Sequence, residues 1–259
     1  MERLGGVDTS THLQVWDLGS GAGRDLCFLG EEVLRWSRTD AGMARANRCS
    51  RSVHFVGWDV HKGSAKRFLP LWRRQIGTGR RISVGGRDYD ESVVLTAEAR
   101  RLNLQKLDSF EEELANLQSK ERPASSPDGH FVCRLAMCYA VRYLNRSLFQ
   151  YIAGGCPRRT GEADAPAGRN NGSSPHPGRP SLRLLFPEGG IFAVSHFCRP
   201  VPGGAWEFEH PKIGHVLDRF ELRDMFADGW EVLQDSIHPD GDHGRTLIHF
   251  AARRLPQER

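Results

Sequence analysis

The chain has 259 residues, of which 39% are hydrophobic and 26% are charged, and its mean hydropathy is −0.50. A chain of this length and composition can bury a sizeable core, in one large domain or in two small ones. No stretch approaches the ~18 consecutive apolar residues of a membrane span, and no apolar segment follows the first six residues. We therefore expect a cytoplasmic protein and not a transmembrane or exported one.

The cysteines and the charges add two further constraints. The six cysteines include no Cys-x-x-Cys pair, which favours reduced thiols over a disulfide framework. The net charge is only +4, but residues 35–81 contain twelve Lys or Arg and two acidic residues, a local +10 that leaves −6 elsewhere. This basic region indicates either a solvated helix face or an anionic partner, nucleic acid included.

Strand and helix patterns alternate along the chain. Apolar runs of strand length predict seven strands, at residues 13–18, 53–59, 93–96, 130–140, 191–197, 230–233 and 246–252. Helical spacing predicts five helices between them, at residues 25–34, 68–76, 109–114, 146–153 and 220–227. The alternation predicts a mostly parallel α/β sheet, and the last two strands, joined by a polar loop, predict an antiparallel hairpin.

Two segments are interpreted as insertions into a single domain that spans residues 1–259. Residues 35–51 are Arg-rich and contain little that could be buried, which predicts a basic insertion. Residues 156–181 hold five Pro and four Gly, no aromatic residue and no aliphatic residue larger than Ala. Such a segment cannot bury enough surface to offset the entropy of ordering, so we predict a disordered insertion.

The strongest chemical signal lies between the first strand and the first helix, where the sequence reads WDLGSGAGRD. Gly19, Gly21 and Gly23 stand at alternate positions, which lets the backbone approach a ligand at a helix N-terminus. The dinucleotide fingerprint instead needs its third glycine three positions after the second. Asp17, two residues before the first glycine, would repel a pyrophosphate but suits a cationic amino acid. The pattern therefore favours S-adenosylmethionine (SAM) over NAD.

Further residues extend this pattern along the chain. Asp59 ends the second strand, Glu98 follows the third, and Leu185-Phe186-Pro187-Glu188-Gly189-Gly190-Ile191 precedes the fifth. Together with the glycine loop, they resemble the class I SAM-dependent methyltransferases, over roughly residues 13–254. The resemblance implies a Rossmann-like methyltransferase fold, with a doubly wound, seven-stranded, mostly parallel sheet and a C-terminal antiparallel hairpin. It also implies a set of residues that bind SAM, with Asp59 on the ribose and Glu98 near the adenine: Asp17, Gly19, Ser20, Gly21, Gly23, Asp59 and Glu98.

Within that superfamily the sequence is most similar to the tellurite-resistance-like methyltransferases, some of which are fused to rhodanese domains. The residues that carry this resemblance are Gly23-Arg24-Asp25, Arg142 to Phe149 after the fourth strand, His210-Pro211-Lys212, Phe220-Glu221-Leu222 and Gly229 to Leu233.

Methyl transfer requires alignment of a nucleophile with the methyl group, and a proton acceptor only where the nucleophile is protonated. No catalytic triad is expected. Arg142 and Tyr143 follow the fourth strand, where this fold places its acceptor, and are the candidates for substrate binding. Tyr143 and His196 are the catalytic candidates. For all three, local packing is the alternative interpretation.

No metal site is expected. Residues 238–243 have metal-ligand types but fall in the predicted hairpin loop, where a solvated turn is favoured. His196 and Cys198 have no partner pair at suitable spacing.

The sequence thus predicts an enzyme that transfers a methyl group from SAM to a small-molecule acceptor, such as a thiol or a metalloid oxyanion, without a membrane partner. Two alternatives remain open: an RNA methyltransferase that uses the basic region 35–81, and a non-catalytic SAM-binding or interaction module. The acceptor itself cannot be read from the sequence, because acceptor pockets are built from loops.

Overall fold

The structure, a computed structural model, describes residues 11–37, 51–77, 80–83, 92–120, 134–154, 186, 188–239 and 244–256. The chain divides into two compact units, the first comprising residues 1–101 and 132–141 and the second residues 102–131 and 142–259. Within the described ranges, no helix combines the length and apolarity needed to cross a membrane.

The first unit contains a mostly parallel sheet. Its described strands and helices are β1 (Thr11–Leu18), α1 (Arg24–Ser37), β2 (Arg51–Asp59), α2 (Lys62–Gln75), β3 (Arg80–Ser83), β4 (Ser92–Arg101) and β5 (Arg134–Val141). The strands lie in the order β3-β4-β2-β1-β5; all are parallel except β3, which pairs antiparallel with β4. Because parallel strands end at the same edge, the residues that follow β1, β2 and β4 meet there.

Large apolar side chains hold α2 against this sheet. Phe68, Trp72 and Ile76 are each at most 3% exposed, and the Trp72 ring lies 4.9 Å from the ring of Phe55 on β2. Burial of each such side chain stabilises the fold by about 1.5–3 kcal/mol. The apolar face predicted for this helix is confirmed at these three positions, whereas Leu71 is only partly buried.

The second unit contains the C-terminal hairpin. Its described elements are α3 (Leu107–Lys120), α4 (Arg146–Ala153), β6 (Ile191–Arg199), a 3-10 turn (Ile213–His215), β7 (Leu217–Asp218), α5 (Glu221–Met225), β8 (Trp230–Pro239) and β9 (Thr246–Arg254). β9 lies between β6 and β8 and is antiparallel to both, whereas the short β7 runs parallel to β6. Phe192 stacks on Phe226 at 4.7 Å, and the Trp230 indole N–H donates to the Ala153 carbonyl at 3.1 Å.

The predicted fold class, a mostly parallel α/β sheet with a C-terminal antiparallel hairpin, is confirmed. Each of the seven predicted strands overlaps a strand of the structure. β3 and β7 were not predicted, because their four and two residues carry no apolar run. The single domain over residues 1–259 stays a prediction, and residues 38–50 and 156–181 of the two predicted insertions lie outside the described residues.

The predicted polar loop before the last strand is wrong over residues 234–239, which continue β8 and pair with β9. Polarity predicted a loop here, but the polar side chains have partners within the second unit. The side chain of Asp235 is only 2% exposed and forms ion pairs with Arg219 and Arg223. His238 therefore lies in a strand, with its ring 4.8 Å from that of His249, and not in a solvated turn.

Candidate functional site

The glycine loop, residues 19–23, connects β1 to α1 and is anchored to the end of β2. The backbone N–H groups of Gly19 and Ser20 both donate to the carbonyl of Trp58, at 2.8 and 3.0 Å. Gly19, Gly21 and Gly23 have φ values of +78°, +54° and +71°, in the left-handed region that favours glycine. The alternate glycines of the sequence thus correspond to three positive-φ positions in one turn.

Gly21 and Gly23 have different surroundings. A Cβ atom on Gly23 would lie 2.1 Å from Cδ2 of Phe68, so this glycine allows α2 to pack directly against the loop. A Cβ atom on Gly21 would meet no heavy atom within 4 Å. The loop is therefore tightly packed on the α2 side at Gly23 and open at Gly21.

Asp59, the last residue of β2, is 9% exposed and joins the glycine loop to the start of α2. Its Oδ2 atom accepts the backbone N–H of Gly21 at 2.8 Å, and its Oδ1 atom accepts that of His61 at 2.6 Å. The sequence predicted a ligand-binding acid here. It did not predict that the same carboxylate would hold both the glycine loop and the start of α2.

Asp17, near the end of β1, is 1% exposed, and its Oδ2 atom has no hydrogen-bond partner among the described residues. Burial is the main cause that raises the pKa of this carboxyl well above its usual range, and the charges of Asp25 and Asp59 add to it. The hydroxyl of Tyr139 on β5 opposes the shift, although it does not reach hydrogen-bond geometry with the carboxyl. A cation beside Asp17 would relieve this cost.

A pocket of about 140 Å³ lies beside Asp59 in the first unit. Nine residues line it: Ser20, Gly57, Asp59, His61, Lys62, Ser64, Ala99, Arg100 and Arg101. Ser20 and Asp59 were predicted to bind the cofactor, and the pocket brings them together. The other lining residues were missed, because their places in the pocket depend on how far β2 and β4 extend and on where α2 begins. A Cβ atom on Gly57 would lie 2.8 Å from the Ser20 hydroxyl, so glycine at this position gives that side chain room.

Glu98 does not line this pocket. On β4, its carboxylate is paired with Arg100 and lies 3.6 Å from Nε2 of His54. Burial alone would raise the pKa of Glu98, but the hydrogen bonds and charges of His54 and Arg100 lower it to about 2. A cofactor contact by Glu98 stays a prediction.

Arg142 and Tyr143 lie in the second unit, between β5 and α4. The N–H of Arg142 donates to the Ser195 carbonyl at 2.8 Å, and its φ of +53° is unusual for a residue other than glycine. The exposed guanidinium of Arg142 lies 5.6 Å from the centre of the Phe197 ring, which Arg245 also contacts at 4.7 Å. Tyr143 is half-buried. Arg142 is thus placed beside the residue that precedes His196.

His196 is 4% exposed, and its Nε2–H donates to the His215 carbonyl at 2.8 Å. This bond leaves the lone pair on Nδ1, which is buried and has no hydrogen-bond partner among the described residues. Burial is the main cause that lowers the pKa of His196, which favours the neutral imidazole. Arg146 fixes the backbone that His196 contacts, because its guanidinium donates to the carbonyls of Gly214 and Val216.

Within the described ranges, no cluster of three His, Cys, Asp or Glu side chains has the arrangement of a metal site.

Comparisons with known proteins do not assign the chain to a family. No family model and no curated protein matches the sequence. Among solved structures, the N-methyltransferase NodS of Bradyrhizobium japonicum WM9 is similar over 96% of this chain and 89% of its own, with 7% identity and a TM-score of 0.45. The cyclase SpnF is similar over 96% of this chain and 78% of its own, with 11% identity and a TM-score of 0.45.

A 16S rRNA (adenine(1408)-N(1))-methyltransferase from Catenulisporales acidiphilia is similar over 97% of this chain and 89% of its own, with 15% identity and a TM-score of 0.38. Likenesses at this level of identity and TM-score assign neither a family nor an activity to this chain.

Proposed function

We propose that the chain is a SAM-dependent methyltransferase that acts on a small-molecule acceptor such as a thiol, a metalloid oxyanion or a similar nucleophile. The observation that carries the proposal is the buried carboxyl of Asp17 beside the glycine loop, whose Oδ2 atom lacks a hydrogen-bond partner among the described residues. A buried carboxylate is stable only when it is paired, and an ammonium group is a strong partner for it. The methionine part of SAM carries such a group.

The first unit also supplies a partner for the nucleoside part. Asp59 lines the pocket, and its two oxygens each accept one backbone N–H. A carboxylate has about four acceptor positions, so Asp59 retains the capacity to accept the ribose hydroxyls. The open face at Gly21 lets a ligand approach the loop backbone. A dinucleotide fits the glycine loop less well, because the Asp17 carboxylate beside it would repel a pyrophosphate placed there.

SAM supplies an electrophilic methyl group on a sulfonium, so the protein needs mainly to align the acceptor. Arg142 and Tyr143 stay the proposed substrate-binding residues, because the exposed guanidinium of Arg142 could form charge-assisted hydrogen bonds with an anionic acceptor. His196 stays the candidate proton acceptor, and Nδ1 is the nitrogen that would act, since the Nε2–H is committed to the His215 carbonyl; Nδ1 is buried, so this role requires that the acceptor reach it.

RNA methyl transfer is the second candidate, and one observation favours it. Helix α2 carries five exposed cations and no acidic residue, namely Lys62, Lys66, Arg67, Arg73 and Arg74. A cationic helix of this kind attracts phosphate backbones without reading their sequence.

Titration calorimetry with SAM tests the proposal on the full chain. We expect the wild type to bind SAM and Asp17→Asn to bind at least about tenfold more weakly, because an amide cannot form the charged pair. Asp228→Asn, which neutralises an exposed carboxylate in the second unit, is the matched control and should bind like the wild type. A folded wild type that does not bind SAM, or an Asp17→Asn variant that binds equally well, would contradict the proposal.

Transfer from labelled SAM to a panel of thiols, metalloid oxyanions, small acids and RNA then separates the alternatives. Label on a small molecule supports the proposal, and label on RNA supports the second candidate. SAM binding without transfer to any acceptor supports a non-catalytic binding module.

A further inference from the structure

The first turn of α2 opens onto the pocket beside Asp59. The helix follows His61, whose side chain makes no capping hydrogen bond, and its first turn contains no acidic residue. The N–H of His61 donates to Asp59 and that of Ser64 donates to the His61 carbonyl at 3.0 Å, and the helix start as a whole carries partial positive charge. His61 and Lys62, where the helix begins, both line the pocket. A helix start of this kind favours an anion, but it does not by itself identify a site.

Ser64 is the second, independent observation. It lies in the first turn of α2, is 3% exposed and lines the same pocket. Its hydroxyl is buried and has no hydrogen-bond partner among the described residues. Buried hydroxyl groups nearly always have a partner, and the oxygen of an anionic group at the helix start would supply one.

The charges that line the pocket are mainly positive. Lys62, Arg100 and Arg101 all line it. Arg100 is paired with Glu98, whereas Arg101 donates its Nε–H to the carbonyl of Val60. Asp59 contributes the only carboxylate among the nine lining residues, against these three cations. Lys62 and Arg101 therefore give the pocket cationic groups beyond what SAM, which has no phosphate, would use.

We propose that this pocket binds a nucleotide phosphate, with the phosphate oxygens between the start of α2, the Ser64 hydroxyl and the Lys62 ammonium group. The inference rests on the proposed function, because the nucleoside of the nucleotide would occupy the place of the adenosine of SAM. Phosphorylated adenosines then compete with SAM for the pocket. Their phosphate forms bonds that SAM cannot form.

The first test compares ligands that differ only in their phosphate. Calorimetry on the full chain would measure binding of adenosine, its 2′-, 3′- and 5′-monophosphates, and inorganic phosphate. We expect at least one monophosphate to bind about tenfold more tightly than adenosine, a gain typical of charge-assisted hydrogen bonds. Monophosphates that bind no better than adenosine would overturn the proposal. Tight binding of inorganic phosphate alone would do the same, because it would identify a site for the free anion.

The second test identifies the residues that make the monophosphate bind more tightly than adenosine. Lys62→Ala and Ser64→Ala should each reduce the ratio of monophosphate affinity to adenosine affinity, measured in the same variant. Lys66→Ala removes the same charge one turn further along α2, outside the pocket lining, and should retain the full advantage. An advantage that survives in both Lys62→Ala and Ser64→Ala would contradict the assignment.

The two proposals fail in different ways. If the protein binds SAM but binds no monophosphate more tightly than adenosine, only the proposal of a nucleotide phosphate site is contradicted. If the protein does not bind SAM, but a monophosphate binds more tightly than adenosine and this difference depends on Lys62 and Ser64, only the methyltransferase proposal is contradicted.

Discussion

Asp17 is the side chain at which the requirements of folding and of the proposed function conflict most. A carboxyl group that is 1% exposed and has an unpaired oxygen destabilises the free protein. Residues that lower stability in this way are expected at functional sites, where a ligand supplies the missing partner. The conflict gives a stability test that needs no ligand.

We expect Asp17→Asn to be more stable than the wild type at neutral pH, by about 1–3 kcal/mol, the usual cost of an unsatisfied buried polar group. The pKa of Asp17 is raised in the folded protein, so the folded state binds more protons than the unfolded chain in the interval between the two pKa values. The stability of the wild type therefore falls as the pH rises through the folded pKa.

The advantage of Asp17→Asn should accordingly be smallest in acid and grow with pH. Thermal unfolding from about pH 4 to about pH 8 measures it, within the range where most proteins stay folded. Asp228→Asn, at an exposed position, should show no such trend. A destabilised Asp17→Asn, or an advantage independent of pH, would contradict the account of this carboxyl.

At the scale of elements, the glycine loop and α2 form one packed assembly. Phe68 on α2 occupies the space that a side chain at position 23 would need, whereas the space beside Gly21 is open. Both glycines have positive φ, so a substitution at either one strains the backbone. Only a substitution at Gly23 also pushes α2 away.

Gly23→Ala should therefore cost clearly more stability than Gly21→Ala. Alanine at positive φ costs about 1–2 kcal/mol at either site, and overpacking against Phe68 adds a further 1–3 kcal/mol or so at position 23. Denaturant titration of the two variants measures the difference, and Gly21→Ala serves as the control for backbone strain. Equal losses of stability in Gly23→Ala and Gly21→Ala would show that the Phe68 side chain can move aside without a free-energy cost.

At the scale of the whole molecule, charge is unevenly distributed. Residues 35–81 carry +10 and the remainder −6. Among the described residues of that basic region, the five cations of α2 are all exposed. This surface could attract RNA without RNA being the methyl acceptor. The salt dependence of RNA binding tests for such electrostatic attraction, because each neutralised phosphate contributes a known slope.

On the proposed function, single-stranded RNA should bind only at low salt and should accept no methyl group. Five cations predict a slope of log affinity against log salt of about −3 to −4, since each neutralised phosphate of a single strand contributes roughly 0.7. The Lys66→Ala/Arg67→Ala double variant should make that slope shallower by about 1.4. Filter binding at several salt concentrations measures the slope. RNA binding that is insensitive to salt would contradict the electrostatic role given to α2, whereas methyl label on RNA would favour the second candidate.

The sequence predicted those parts of the molecule whose signals are local. Apolar runs predicted the strands, and three alternate glycines predicted the loop, because positive φ leaves few other residues acceptable. The pocket could not be predicted in the same way. Arg101 reaches it only because β4 extends that far, and Ser64 is notable only because its hydroxyl is buried without a partner.

Long-range contacts set the other limit. The sequence around Asp235 is polar and gives no strand signal; the strand persists because Arg219 and Arg223 pair with this carboxylate across the fold. His196 was a reasonable candidate base at a strand end, but the sequence does not indicate that the His215 carbonyl would accept its Nε2–H. Such partners depend on the tertiary structure, not on local periodicity.

Asp59 restricts how this site can change in evolution. One carboxylate orders the glycine loop through Gly21 and the start of α2 through His61, and it also faces the pocket. A substitution that adapted position 59 to a different nucleoside would at the same time release both backbone segments. Selection for a new ligand preference should therefore act on neighbouring positions that do not hold the loop backbone, such as Lys62, while position 59 stays acidic.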